Sequence, residues 1–151
     1  AGEYKWTQGN AEYLSDPSAP LSVSLRQKIG TFYDGDYFGW ETSVAARFGA
    51  RLLSSIGWNR DDVSLPYGDF VTDLVPLKVT YAFTSLASIQ ALVQYNNQTS
   101  TVSSNLRLAL LNRSGTGLFV VYNDRRDTSI ATKEELLGRS FIVKYTRLFD
   151  F

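Results

Sequence analysis

The sequence contains no cysteine, histidine or methionine among its 151 residues. Disulfide bonds, thiol nucleophiles, Ser-His-Asp catalysis and zinc sites built on histidine or cysteine are therefore excluded. Neither sign of charge is in excess, because 15 Lys and Arg balance 15 Asp and Glu. A general nucleic-acid binder is normally basic, so we expect no nucleic-acid partner. No apolar run approaches the roughly 20 residues of a membrane helix.

Aromatic residues are abundant, at 14% of the chain, and apolar and polar residues alternate along most of it. In the last segment, for example, Phe141, Val143 and Tyr145 share one face while Ile142 and Lys144 share the other. A period of two is typical of strands rather than helices. The alternation predicts nine strands in a single antiparallel, all-β domain spanning residues 1–151, at about 3–14, 21–33, 37–48, 51–65, 69–83, 87–98, 102–111, 117–125 and 140–151.

Two segments also fit a helical pattern. The apolar residues of 44–56 make a helical stripe, but Gly49 would cost a helix about 1 kcal/mol and both flanks alternate, so strands are favoured. Residues 132–138 (TKEELLG) predict a short helical turn, with Thr132 as N-cap, Glu135 three residues later and Gly138 at the end.

The two faces of the predicted strands differ in chemistry. One is apolar and rich in aromatic residues, whereas the other carries the charges Arg26, Lys28, Glu41, Arg47, Lys78, Arg107 and Lys144 among Ser, Thr, Gln and Asn. An apolar outer face, a polar inner face and aromatic girdles at both rims are typical of an up-and-down transmembrane β-barrel of about eight to ten strands, in which these seven charges would face the lumen. A soluble barrel or sandwich with its apolar face inward gives the same alternation, and its aromatic residues would line a ligand cavity.

Connection lengths and the final segment favour the membrane interpretation. Connections at 49–50, 84–85 and 114–117 are short, whereas those at 59–69, 96–104 and 122–139 are long and polar, as expected for periplasmic turns and external loops respectively. The final strand resembles the C-terminal insertion strand of bacterial outer-membrane proteins through Phe141, Val143, Tyr145, Phe149 and Phe151. The barrel-assembly machinery recognises that strand. Arg147 is an exception to the apolar pattern.

The second half resembles a bacterial family of outer-membrane type. The similar segments are FVTDLVPLKVTYAFTSLASIQALVQYNNQT (70–99), SSNLRLALLNRSGTGLFVVYNDRRDT (103–128) and RSFIVKYTRLFDF (139–151). Members of this uncharacterised family often join an N-terminal domain resembling carbohydrate-binding module family 9 to a C-terminal β-barrel. The resemblance implies a barrel in the cell envelope, of which this chain is the C-terminal part, and it implies no catalytic residue.

The predicted function is therefore that of a bacterial outer-membrane β-barrel protein with a structural, anchoring or small-solute passage role. Its expected partners are outer-membrane lipid and the barrel-assembly machinery, with lipopolysaccharide or glycans as further partners bound through loop residues such as Arg125 and Arg126. The alternative is the soluble ligand-binding barrel or sandwich of the cell envelope, and a glycan-active enzyme is a third interpretation. We expect no metal or other cofactor, since the turn Asp34-Gly35-Asp36 lacks the spacing of a calcium loop.

Overall fold

The computed structural model describes residues 7–112, 116–129 and 135–147. These residues form one antiparallel, up-and-down sheet in which each strand pairs with the next in the chain, which confirms the predicted all-β class and strand number. The strands are β1 (Gln8–Leu14), β2 (Leu21–Phe32), β3 (Gly35–Phe48), β4 (Leu52–Leu65), β5 (Gly68–Thr84), β6 (Ala87–Asn96), β7 (Thr101–Leu111), β8 (Gly117–Asp127) and β9 (Glu135–Thr146). The described ranges contain no helix that could span a membrane.

The segment between residues 44 and 56 is a hairpin, as the alternation predicted. β3 ends at Phe48 and β4 begins at Leu52. Gly49, in the connection, has a positive φ of 61°, a conformation in which a residue without a Cβ meets no steric penalty. The helical alternative for this segment was therefore wrong.

The predicted helical turn is also wrong for the residues that the structure describes. Glu135 already belongs to β9 and pairs with Asp127, after a register shift between Arg125 and Arg126 of β8. A single helical turn is marginal on its own, whereas β8 pairs with β9 from Glu135 onwards. Thr132 lies outside the described residues.

Two predicted long loops are mostly strand. β4 continues to Leu65 and is joined to β5 by Pro66 and Tyr67, while β6 and β7 are joined by residues 97–100. The predicted strands at 51–65, 87–98 and 102–111 are confirmed, whereas the long polar connections counted at 59–69 and 96–104 overlapped these strands and were too long. The alternation of short and long connections is absent from the described part of the chain, so it gives no support for an orientation.

The sheet has almost no apolar core. Among the described residues, Val63 is the only buried hydrophobic side chain. The accessible surface is 10927 Å², whereas a compact monomer of this mass exposes about 7,700 Å². β1 and β9 do not pair with each other in the described residues, so the sheet is open and no second layer covers it.

Candidate functional site: the two faces of the sheet

Residues that are directly opposite each other in adjacent strands form rows across the sheet, and the members of a row share a face. One such row runs through Val23, Val44, Ile56, Leu77 and Val93. We call this side the apolar face, and its large members include Ile29, Phe38, Trp40, Phe48, Trp58, Val75, Val79, Tyr81, Ile89, Tyr95, Leu106, Leu108, Leu110, Val120, Tyr122, Phe141, Val143 and Tyr145. The opposite side is called the polar face.

The apolar face is open to its surroundings. Phe38 is 41% exposed, Val93 38% and Val143 56%, while Leu108 is half-buried. These four side chains come from four different strands, and they do not meet in a dry interior. Monomeric soluble proteins rarely expose an apolar surface of this extent.

The apolar face ends at a border of charged residues. We call the upper edge of the sheet the end at which β2 joins β3 and β4 joins β5. Towards this edge, the first charged residue on the apolar face is Asp36 in β3, Arg60 in β4, Asp73 in β5, Asp124 in β8 and Arg139 in β9. These five residues define the upper border.

The upper border crosses the rows obliquely. Arg60 and Asp73 share a row, which lies four residues below the row of Asp36 when counted along β4. Asp124 and Arg139 share a row. Across β7 and β6, this row reaches β5 at Leu77, which lies four residues below Asp73. The border therefore descends by eight residues between β3 and β9.

Two aromatic side chains are hydrogen-bonded to this border. Trp58 donates from Nε1 to Asp73 Oδ1 at 2.9 Å, and the Tyr122 hydroxyl donates to Asp124 Oδ2 at 3.2 Å. Each ring lies on the apolar face while its polar atom reaches the charged residue. Trp and Tyr adopt this arrangement where an apolar zone meets a wet one.

Asp124 is the most enclosed charge of the upper border, with 8% of its side chain exposed. Its Oδ1 accepts from Arg126 Nε at 2.7 Å, and its Oδ2 accepts from Arg139 Nε at 3.0 Å and Nη2 at 2.9 Å. Arg126 was predicted to be a loop cation. The cluster was not predicted, because only the β8–β9 register brings Arg139 opposite Asp124. Arg125, the other proposed donor, lies on the polar face and lines a concavity there.

All seven charges predicted to face the lumen lie on the polar face: Arg26, Lys28, Glu41, Arg47, Lys78, Arg107 and Lys144. That these seven charges face a lumen stays a prediction, because the described sheet is open.

Four charges near β1 form a neutral cluster on this face. Glu41 bridges Lys28 at 2.9 Å and Arg26 at 3.2 Å, and Arg26 also contacts Glu12 at 2.7 Å. Glu12 was not predicted as a member, although it lies directly opposite Arg26. We call these residues the β1–β3 ion cluster. It contains two acids and two bases, so its formal charge is zero.

The remaining four predicted charges are all cations, and the structure gives none of them an ion pair with a described residue. Arg107 has another kind of partner, since its guanidinium carbon lies 5.4 Å from the centroid of the Phe119 ring. Such a cation–π contact holds the side chain in place without neutralising it.

A concavity of about 510 Å³ lies on the same side of the sheet, between β6 and β9. Asn105 donates to the Asn123 amide oxygen, and Asn123 donates to the Ser140 hydroxyl at 2.9 Å. The lining also contains Gln94 and Arg125. Amides and hydroxyls in a ladder can bind water or a polar solute, but they provide no nucleophile with an activating base.

The predicted insertion strand is only partly described. Phe141, Val143 and Tyr145 lie on the apolar face of β9 and are all more than half exposed. Phe149 and Phe151 lie outside the described residues. The described ranges contain no group of three side chains that could hold a metal ion. Comparisons with protein-family models, curated proteins and solved structures found no match.

Proposed function

We propose that this chain is a bacterial outer-membrane β-barrel protein, or the C-terminal part of one, with its apolar face towards lipid and its polar face towards an aqueous lumen. The observation that carries this proposal is the oblique upper border. In a barrel whose strands are tilted, a membrane surface must cut across the hydrogen-bonded rows, because the rows run perpendicular to the strands. The packing of a soluble sheet does not by itself require its apolar zone to shift along the strands in one direction.

The slope of the upper border has the expected size. Eight residues correspond to about 26 Å along the strands, and the six strand-to-strand steps from β3 to β9 to about 29 Å across them. The border therefore makes an angle of about 40° with the rows, and strands of transmembrane barrels are tilted by roughly 35–45°.

The height of the apolar zone supports the same proposal. On the apolar face it runs from Phe38 to Phe48 in β3 and from Val75 to Phe83 in β5. These segments of 11 and nine residues, tilted by about 40°, cover roughly 23–28 Å along the membrane normal. The apolar band of outer-membrane barrels is about 25 Å tall.

Burial supports an inward polar face. Six described residues are buried. Gly39, Gly57, Val63, Thr101 and Gly117 lie on the polar face although no other layer of described residues covers it, whereas Asp124 lies on the apolar face within its ion cluster. The soluble alternative needs the apolar face to be the enclosed one, which this distribution does not favour.

Closure of the barrel requires strands beyond the nine described. β1 and β9 run in the same direction, since every neighbouring pair between them is antiparallel. Direct pairing would be parallel, whereas single-chain bacterial barrels close with an even number of antiparallel strands. We propose that an odd number of further strands of the same polypeptide closes the barrel, in agreement with the family resemblance of residues 70–99, 103–128 and 139–151.

The role that we propose is passage of small solutes through the lumen, and the resemblance adds anchoring of an attached sugar-binding domain. Outer-membrane lipid would cover the apolar face. The barrel-assembly machinery would recognise β9, whose apolar face carries the exposed side chains Phe141, Val143 and Tyr145.

Insertion of the full chain into lipid tests this proposal, where the full chain is the polypeptide together with the further strands that close the barrel. Chain refolded with short-chain phosphatidylcholine vesicles is expected to float with the vesicles at high salt and alkaline pH, to show β-structure by circular dichroism, and to migrate differently on gels with and without boiling. A monodisperse monomer in detergent-free buffer that does not bind the vesicles would contradict it.

A further inference from the structure

The zero net charge of the chain conceals an uneven distribution on the polar face. On the β1–β3 side, the ion cluster around Glu41 is neutral. Between β5 and β9, by contrast, Lys78, Arg107 and Lys144 have no ion pair with any carboxylate in the described part of the chain. These three cations lie on alternate strands, β5, β7 and β9.

The three cations lie along one line across the sheet. The row of Lys78 meets β7 at Asn105, two residues before Arg107. The row of Arg107 meets β9 at Ile142, two residues before Lys144. Each step of two strands therefore descends by two residues, which is about 6.6 Å along the strands for about 9.6 Å across them, a slope of about 35°. This slope is close to that of the upper border, so the three cations share one depth.

That depth is the middle of the apolar band. Lys78 follows the border residue Asp73 by five residues in β5, and Lys144 follows Arg139 by five residues in β9. Five residues in a strand tilted by about 40° lie about 13 Å below the border, which is half the height of a band of about 25 Å.

We propose that Lys78, Arg107 and Lys144 form a cationic ring at mid-depth of the lumen, which selects small inorganic anions such as chloride and phosphate. The inference rests on the proposed function, because it requires the polar face to line a lumen. Rings of Lys and Arg side chains select anions in pores, since they replace part of the hydration of an anion while repelling cations. The contact with Phe119 holds Arg107 in place without cancelling its charge.

The mid-depth location of the three cations matters because fixed charge has its strongest effect on a passing ion there. An ion that crosses the middle of the membrane is farthest from bulk water on both sides, so a fixed charge there acts on it more strongly than a charge at a rim. The neutral β1–β3 ion cluster occupies part of the same belt and leaves the three cations uncompensated. The part of this belt that the described strands contribute therefore has a positive net formal charge.

The test is the reversal potential of the full chain in planar lipid bilayers under a potassium chloride gradient. The wild type is expected to pass chloride several-fold better than potassium. The single variants Lys78→Gln, Arg107→Gln and Lys144→Gln should each lower that ratio, and the triple variant should bring it close to one. Arg51→Gln is the matched control, because it removes a cation from the exposed connection between β3 and β4; it should leave the ratio unchanged.

Three outcomes would overturn the ring. They are a wild-type preference for potassium, a ratio that the triple variant does not change, and an inserted protein that passes no current. Vesicle flotation of each variant separates these results from failure of the proposed function. A chain that floats with vesicles but shows no anion preference refutes only the ring, whereas a chain that does not float refutes the membrane proposal and the ring together.

Discussion

Trp58 donates its indole hydrogen to Asp73 across the β4–β5 pair, at the row where the apolar face ends. Trp58 is the last large aromatic residue on the apolar face of β4 towards the upper edge, and Asp73 is the first charged residue that β5 places on this face in the same direction. In the proposed barrel, this bond marks the height at which lipid gives way to water on these two strands. The upper border is therefore a property of specific side-chain contacts as well as of composition.

Trp58→Phe should destabilise the protein in lipid by about 1 kcal/mol beyond any loss of ring area, because it leaves Asp73 without this donor. Trp40→Phe is the matched control. Trp40 lies on the same face and makes no hydrogen bond with a described residue through its indole nitrogen. Urea unfolding of both variants in vesicles checks the difference, and equal losses would contradict a role for the Trp58 bond.

Charge on the apolar face should be far more costly than charge on the polar face. Val79→Arg places a cation at mid-depth of the proposed lipid-facing band and should destabilise the inserted protein by about 2–4 kcal/mol. Leu92→Arg is the control, since Leu92 lies on the polar face beside Lys78. It should cost much less. Similar unfolding free energies for the two variants would be incompatible with lipid on the apolar face.

Glu41→Gln should change selectivity more than stability. Glu41 contacts both Lys28 and Arg26, but all three side chains are about one-third to one-half exposed, so the loss of stability should stay below about 1 kcal/mol. The variant adds one net positive charge to the β1–β3 ion cluster, so anion preference in the bilayer assay should rise. A shift towards potassium would contradict the placement of this cluster in the lumen.

The turn between β1 and β2 predicts a local pH effect outside the strands. Ser18 donates its hydroxyl to Asp16 Oδ1 at 2.7 Å and its backbone N–H at 2.8 Å, and these bonds hold the pKa of Asp16 below its ordinary value. The stabilisation is complete above the unfolded pKa of Asp16 and is lost as the pH falls through the lower folded pKa. Ser18→Ala should raise the pKa of Asp16, as an NMR titration of its carboxyl carbon would show. An unchanged titration would argue against the hydroxyl bond.

The division of the chain into strands and faces was readable from the sequence because alternation depends only on successive residues. Residues 59–69 were counted as a connection although 51–65 was also predicted as a strand, and Glu135 was assigned to a helical turn, because each polar segment extends a strand beyond its apolar part, where local composition resembles a loop. The position of each residue along the strand axis relative to residues of other strands could not be predicted from the sequence. Lys78 and Lys144 lie at equal distances from the upper border, five residues after Asp73 and Arg139 respectively, because of the stagger between strands, which pairing sets and single-sequence periodicity does not contain.

The most direct test that the apolar face contacts lipid and the polar face contacts water uses single-cysteine variants. Because the chain has no cysteine, each variant can be labelled at one site only. Leu92→Cys, Val93→Cys, Val143→Cys and Lys144→Cys give two adjacent pairs, each with one residue on either face. With nitroxide labels on vesicle-inserted protein, positions 93 and 143 should be relaxed by lipid-soluble oxygen, and positions 92 and 144 by a water-soluble nickel complex. Greater nickel access at 93 and 143 than at 92 and 144 would contradict the account.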